Sequence, residues 1–152
     1  MLSYPNPQAA YQANHFGEID AVTEGAYSTL VVSQDGGANS AVTILPKDGN
    51  TWKIGTGLET KIVSSIVAGS PKVLVSLYRY ASSSDYYLVA NTIDLEGQEI
   101  EITDSENTSF VSWEHKASGG TFYYCCAYLN GLDQDYALLV NGESVTFAEE
   151  KG

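Results

Sequence analysis

One tight-turn signature occurs three times along this chain, and that repetition constrains the fold more than any local propensity does. Lys47-Asp-Gly-Asn-Thr-Trp-Lys-Ile54 is followed by Leu95-Glu-Gly-Gln-Glu-Ile-Glu-Ile102 and by Val140-Asn-Gly-Glu-Ser-Val-Thr-Phe147. The turn glycines Gly49, Gly97 and Gly142 lie 48 and 45 residues apart. Self-similarity at such a period marks supersecondary units that cannot bury their apolar faces alone and stack to do so. Three copies are expected, at about residues 18–57, 61–104 and 109–148, within a single all-β domain over 18–152. An extended arm, residues 1–17, precedes them.

Each copy reads as four short antiparallel strands. First strands are expected at 18–22, 61–67 and 109–115, and second strands at 27–33, 72–80 and 121–129. Third strands follow at 40–45, 86–95 and 135–140, each leading through the tight turn into a short fourth strand. Asn141-Gly142 is the strongest hairpin dipeptide, because both positions of such a turn require positive φ. The second strands decide the packing. Phe122-Tyr-Tyr-Cys-Cys-Ala-Tyr-Leu129 is continuously apolar and aromatic, and Lys72-Val-Leu-Val-Ser-Leu-Tyr-Arg-Tyr80 nearly so. A sheet with one wet face alternates, whereas strands covered on both faces do not.

The succession of apolar strand, polar loop, apolar strand, Asp-Gly turn and Trp-x-apolar strand resembles a generic β-propeller blade. Asp48-Gly-Asn-Thr-Trp-Lys-Ile54 is its clearest copy. The resemblance implies four-stranded meanders covered on both faces by sister meanders. Ile100 and Val145 stand where the first copy has Trp52, and three blades are fewer than the usual four to eight. A β-trefoil, a β-prism and a two-sheet sandwich are the alternatives.

Among the 152 residues, 43% are hydrophobic and 17% charged, which excludes a disordered chain. Nineteen acidic against seven basic residues give a net charge of −12. Such a surface repels phosphate backbones and anionic lipid, so neither nucleic acid nor membrane insertion is expected. One arginine beside eleven tyrosines resembles the composition of extracellular and virion-surface β proteins. Met-Leu-Ser-Tyr-Pro-Asn-Pro lacks the basic start and apolar run of a signal peptide. The expectation is synthesis in the cytoplasm and work at a virion or extracellular surface.

Adjacent strand side chains point to opposite faces, so Cys125 and Cys126 are read as two buried thiols, not a disulfide. No Gly-x-Ser-x-Gly occurs, and the histidines are His15 in the arm and His115 in a strand. Acid pairs cannot be singled out among nineteen carboxylates, so the chain reads as non-enzymatic, with no cofactor and no metal. Asn130-Gly-Leu-Asp-Gln-Asp135 offers oxygen ligands but not the alternating EF-hand pattern, and is read as a solvated turn. Asp35-Gly36-Gly37 is no phosphate loop, since no lysine follows it.

Binding candidates are aromatic. Tyr78, Arg79, Tyr80, Tyr86 and Tyr87 crowd one hairpin end, and tyrosine and arginine carry contact energy at interfaces. Trp113 and His115 share a first strand, which in a propeller lines the central channel. Tyr4, Tyr11 and Phe16 are spaced along the arm to dock on this domain or on a neighbouring subunit. No aromatic anchor recurs in every copy, which weighs against a multivalent lectin. The expected function is a structural or interaction protein, a surface or decoration component of a virion-like assembly, homo-oligomeric and partnered by protein subunits. A carbohydrate-binding module, with a glycan as partner, is the alternative.

Overall fold

The computed structural model describes residues 2–15, 17–34, 41–68, 72–92 and 100–145. The expected features Phe16, the 35–37 loop, the 69–71 turn, the Gly97 turn and Phe147 lie outside them. The fold is all-β and antiparallel, with one short helix. No helix among the described residues is long and apolar enough to cross a membrane.

The arm is not extended throughout. Residues Pro7–Gln12 form a helix, α1. Asn6 caps it, its side chain accepting from Ala9 N at 2.8 Å, and Pro7 pre-sets the first turn. Six residues are too few to show a helical period, which hides α1 in the sequence.

Four strands follow in chain order: β1 (Glu18–Glu24), β2 (Ser28–Gln34), β3 (Ala41–Asp48) and β4 (Thr51–Trp52). They form a four-stranded meander in that order, so the first repeat closes on itself. The next are β5 (Thr60–Ala68), β6 (Val73–Tyr80), β7 (Asp85–Thr92) and β8 (Ile102–Asp104). The last are β9 (Val111–Ala117), β10 (Gly120–Asn130), β11 (Leu138–Val140) and β12 (Glu143–Val145).

The second and third repeats do not each form a sheet of their own. Their strands are shared between a five-stranded sheet, β5-β6-β7-β10-β9, and a three-stranded sheet, β12-β11-β8. Strand length accounts for the exchange. β10 pairs with β7 from Tyr124↔Asn91 to Asn130↔Asp85. Its successor β11 has only three residues and would leave most of that edge unpaired. Freed from β10, β11 takes β8 and β12 as neighbours.

The sheets stack in layers. Ala21, Leu30, Val32 and Ile44 of the first sheet meet Tyr87, Val89 and Cys126 of the second. On its other face, the five-stranded sheet packs Val75, Leu77, Leu88 and Cys125 against Leu138, Val140 and Val145 of the third. The second strands are thus covered on both faces. A third cluster joins Ala10 and Tyr11 of α1 to Val31, Leu45 and Trp52. Tyr4 extends that cover by pairing with Trp52, its N donating to Trp52 O at 2.8 Å and Trp52 N to Tyr4 O at 2.9 Å.

Candidate functional site

The tyrosine hairpin is divided by its own register. Arg79 pairs with Tyr86, and Tyr78 with Tyr87, so the two sets project to opposite faces. Tyr78 and Tyr80 are half-buried against the core between the first and second sheets. Arg79 lies over the Tyr86 ring, 5.1 Å from its centroid. Its guanidinium donates to its own loop, from Nε to Ser83 O at 2.7 Å and from Nη2 to Ser82 O at 3.2 Å. Arg79 therefore clamps the turn between β6 and β7, and the five residues do not converge on one site.

A buried carboxylate, Asp85, at the end of the polar loop between β6 and β7, organises this end of the molecule. Asp85, 0% exposed, opens β7. Its Oδ1 accepts from Ala26 N at 3.1 Å and from Tyr128 OH at 3.0 Å. Its Oδ2 accepts from Tyr27 N at 2.8 Å and from Ser28 Oγ at 2.7 Å. Tyr87 OH adds a bond to Ser28 Oγ at 2.9 Å. Asp85 so ties the β1–β2 turn of the first sheet to the centre of the second. Burial raises the Tyr87 hydroxyl above its ordinary pKa, although the Ser28 bond works against it. Burial, then the bond to Asp85, pushes Tyr128 up to about 12. Only Gly25 fits beside this clasp, since a Cβ there would stand 2.8 Å from Asp85 Oδ2 and against the Tyr87 hydroxyl. The sequence signal was an acid placed directly before an apolar, aromatic strand.

Asp104 is a second hub. It accepts from Thr108 N at 2.8 Å, Glu106 N at 3.1 Å and Tyr136 OH at 2.9 Å, and also from the Thr108 hydroxyl. Burial by itself would raise the carboxyl, but the bonds from Thr108, Tyr136 and Glu106 outweigh it and hold the pKa below the usual carboxylate value. Burial and the charge it faces raise Tyr136. The spacing Asp104-Ser-Glu-Asn-Thr108, with Asn107 at φ 53°, is the side-chain turn that such a sequence favours.

Trp113 and His115 lie on β9, at an edge of the five-stranded sheet. Trp113 stacks on Tyr124, with ring centroids 5.5 Å apart. His115 Nε2 is 2.9 Å from both Asp20 Oδ2 and Gln34 Nε2, and Gln34 Nε2 is also 3.2 Å from Nδ1 and 3.1 Å from Asp20 Oδ1. These contacts stitch β9 to β1 and β2. A cleft of about 200 Å³ lies beside them, lined by Ile100, Ser112, Trp113, Glu114, Tyr123 and Tyr124.

The described arm aromatics, Tyr4 and Tyr11, are placed against their own chain. Tyr11 is 0% exposed, with its hydroxyl on Ser33 Oγ and its ring stacked on His15. Tyr11 has no surface left for a neighbouring subunit, and Tyr4 is half-buried beside Trp52. In the Asn130–Asp135 loop, Gly131 N donates to Ser84 O at 2.7 Å, and Tyr136 N to Asp133 O at 3.1 Å. Among the described residues, no group of three or more His, Cys, Asp or Glu side chains could hold a metal ion.

The layering and the hydrogen-bonded hubs define an all-β protein of stacked antiparallel sheets. No protein-family model matches the chain, and neither a curated protein nor a solved structure does.

Proposed function

We propose that the protein is a non-enzymatic structural component, a surface or decoration protein of a virion-like assembly, whose work is contact with other protein subunits. One observation carries the reading. β5 is an outer strand of the five-stranded sheet, with no described strand beyond it, and it holds Ile62 at 56% and Val67 at 54% exposure. A long, apolar, unpaired edge is a template for another chain. The hubs at Asp85 and Asp104 support it, because they commit buried charge to bracing turns and sheets. A rigid block with one adhesive edge suits assembly.

The test is the size of the protein in extracts of the cells that naturally make it. Gradient sedimentation followed by antibody detection should place it in fractions far heavier than one chain of 16.3 kDa. Migration wholly as a free single chain would refute the reading.

The three repeats fit descent from one blade-like, four-stranded unit. The first forms its own meander, while the strands of the second and third are shared between two sheets. A second reading, binding of a glycan, is favoured by the cleft beside the stacked Trp113 and Tyr124. Aromatic planes beside a carboxylate such as Glu114 suit a sugar's apolar face and hydroxyls. Binding on a glycan array that Tyr123→Ala abolishes would support it.

A further inference from the structure

Among the described residues, no strand pairs with the outer side of β5, which runs for nine residues. Its pairing with β6 sets Ile62 opposite Tyr78, Ser65 opposite Ser76, and Val67 opposite Leu74. Leu74, Ser76 and Tyr78 alternate regularly along β6, so Ile62, Ser65 and Val67 share one face. A regular strand would send residues 62 and 67 to opposite faces. The bulge between Ile62 and Ser64 removes that difference. Ile62 and Val67 therefore stand two ladder steps to either side of Ser65, on the same face, each more than half exposed.

This arrangement is self-complementary. A two-fold axis through Ser65 sets Ile62 of one strand opposite Val67 of a second and Lys61 opposite Ala68, so no like charges meet. Residues 60–68 contain no acid, in a chain whose net charge is −12. Two chains of that charge repel, and β5 adds no acid to that repulsion. An isologous contact needs a patch that matches itself under the axis, and the bulge supplies it.

We propose that two copies of the chain pair antiparallel through β5, with Ser65 on the axis and Ile62 of each copy opposite Val67 of the other. The proposal rests on the assembly reading above and names a second copy as the partner. The joined sheet runs continuously from β9 of one copy to β9 of the other.

The experiment is light scattering of the purified full chain over a concentration series, with two charge variants. Wild type should reach twice the mass of the 16.3 kDa chain. I62K/V67K places Lys opposite Lys at both symmetric pairs, whereas I62K/V67E places Lys opposite Glu. The first should weaken dimerisation ~10-fold or more, and the second should restore it to within ~3-fold of wild type. Both sites are more than half exposed, so unchanged melting should confirm that the variants fold. S65C should also give a covalent dimer on mild oxidation, because the two residues meet on the axis. A wild-type monomer at every concentration, or a dimer that responds equally to both charge variants, would overturn the pairing. A monomer that nevertheless sediments heavily in native extracts would overturn the pairing and leave the assembly reading standing.

Discussion

Cys125 and Cys126 are chain neighbours that belong to different cores. Cys125 packs between the second and third sheets, Cys126 between the first and second, and both are free thiols. Burial, then the neighbouring Cys126, pushes the Cys125 thiol up to about 12. Burial also raises Cys126, against the bond from Thr23. The unfolded chain gives up these protons near the ordinary thiol value of 9.0, while the folded chain keeps them. Stability is therefore complete below that pH and falls above it, by about 1.4 kcal/mol per pH unit for a single group. Denaturant melts at pH 8 and pH 10 should show the loss, and a thiol reagent should react only after unfolding. Cys125→Asp and Cys126→Asp should each prevent folding, since each buries an unpaired charge. A variant with wild-type melting would mean that its face is wet. Asp85 tests the opposite case, a buried charge fully supplied with donors. Asp85→Asn turns an amide N–H toward groups that themselves donate, and should cost on the order of 3 kcal/mol in urea melts. Gly25→Ala should destabilise the same clasp by about 1–3 kcal/mol, the usual cost of overpacking.

At the level of elements, the apolar runs and turns were enough to place the first, second and third strands to within a few residues of those described. β2, β6 and β10 lie within a residue of the expected second strands, and the apolar runs of β6 and β10 correctly announced cover on both faces. The Asn141-Gly142 turn was equally legible, and it shows φ 50° and φ 81°. Gly49 sits at φ 59°, which side chains tolerate better. Gly142→Val should therefore cost more than Gly49→Val, about 1–3 kcal/mol against less. No atom crowds either position, so the difference is one of backbone conformation. Equal melting midpoints would contradict the turn assignment. The pairing partners of β7, β8, β10 and β11 were not legible. Sequence periodicity reports which residues face a core, but the choice of neighbour depends on the relative lengths of edges far apart in the chain. The tyrosine candidates are parted for a related reason. Tyr78, Arg79, Tyr80 and Tyr86 are close in sequence, yet a two-residue strand period splits them between faces. Asp20, Gln34 and His115 come together only because β9 reaches β1 and β2 of another sheet.

For the molecule as a whole, the arm serves as the outer layer of the stack. It covers Val31, Leu45 and Trp52, which would otherwise face water. Deleting residues 1–17 should lower Tm and expose apolar surface that binds a hydrophobic dye, without a specific loss of self-association. Unchanged Tm with weaker association would instead mean that the arm docks on a neighbour. The central claim is that the second and third repeats share one sheet through β7 and β10. Cross-strand nuclear Overhauser contacts between backbone protons test it most directly. The account predicts contacts linking Cys126 to Val89 and Tyr128 to Tyr87. Contacts linking residues 124–130 to Leu138–Val140 in their place would show that the third repeat closes on itself, and would contradict the account.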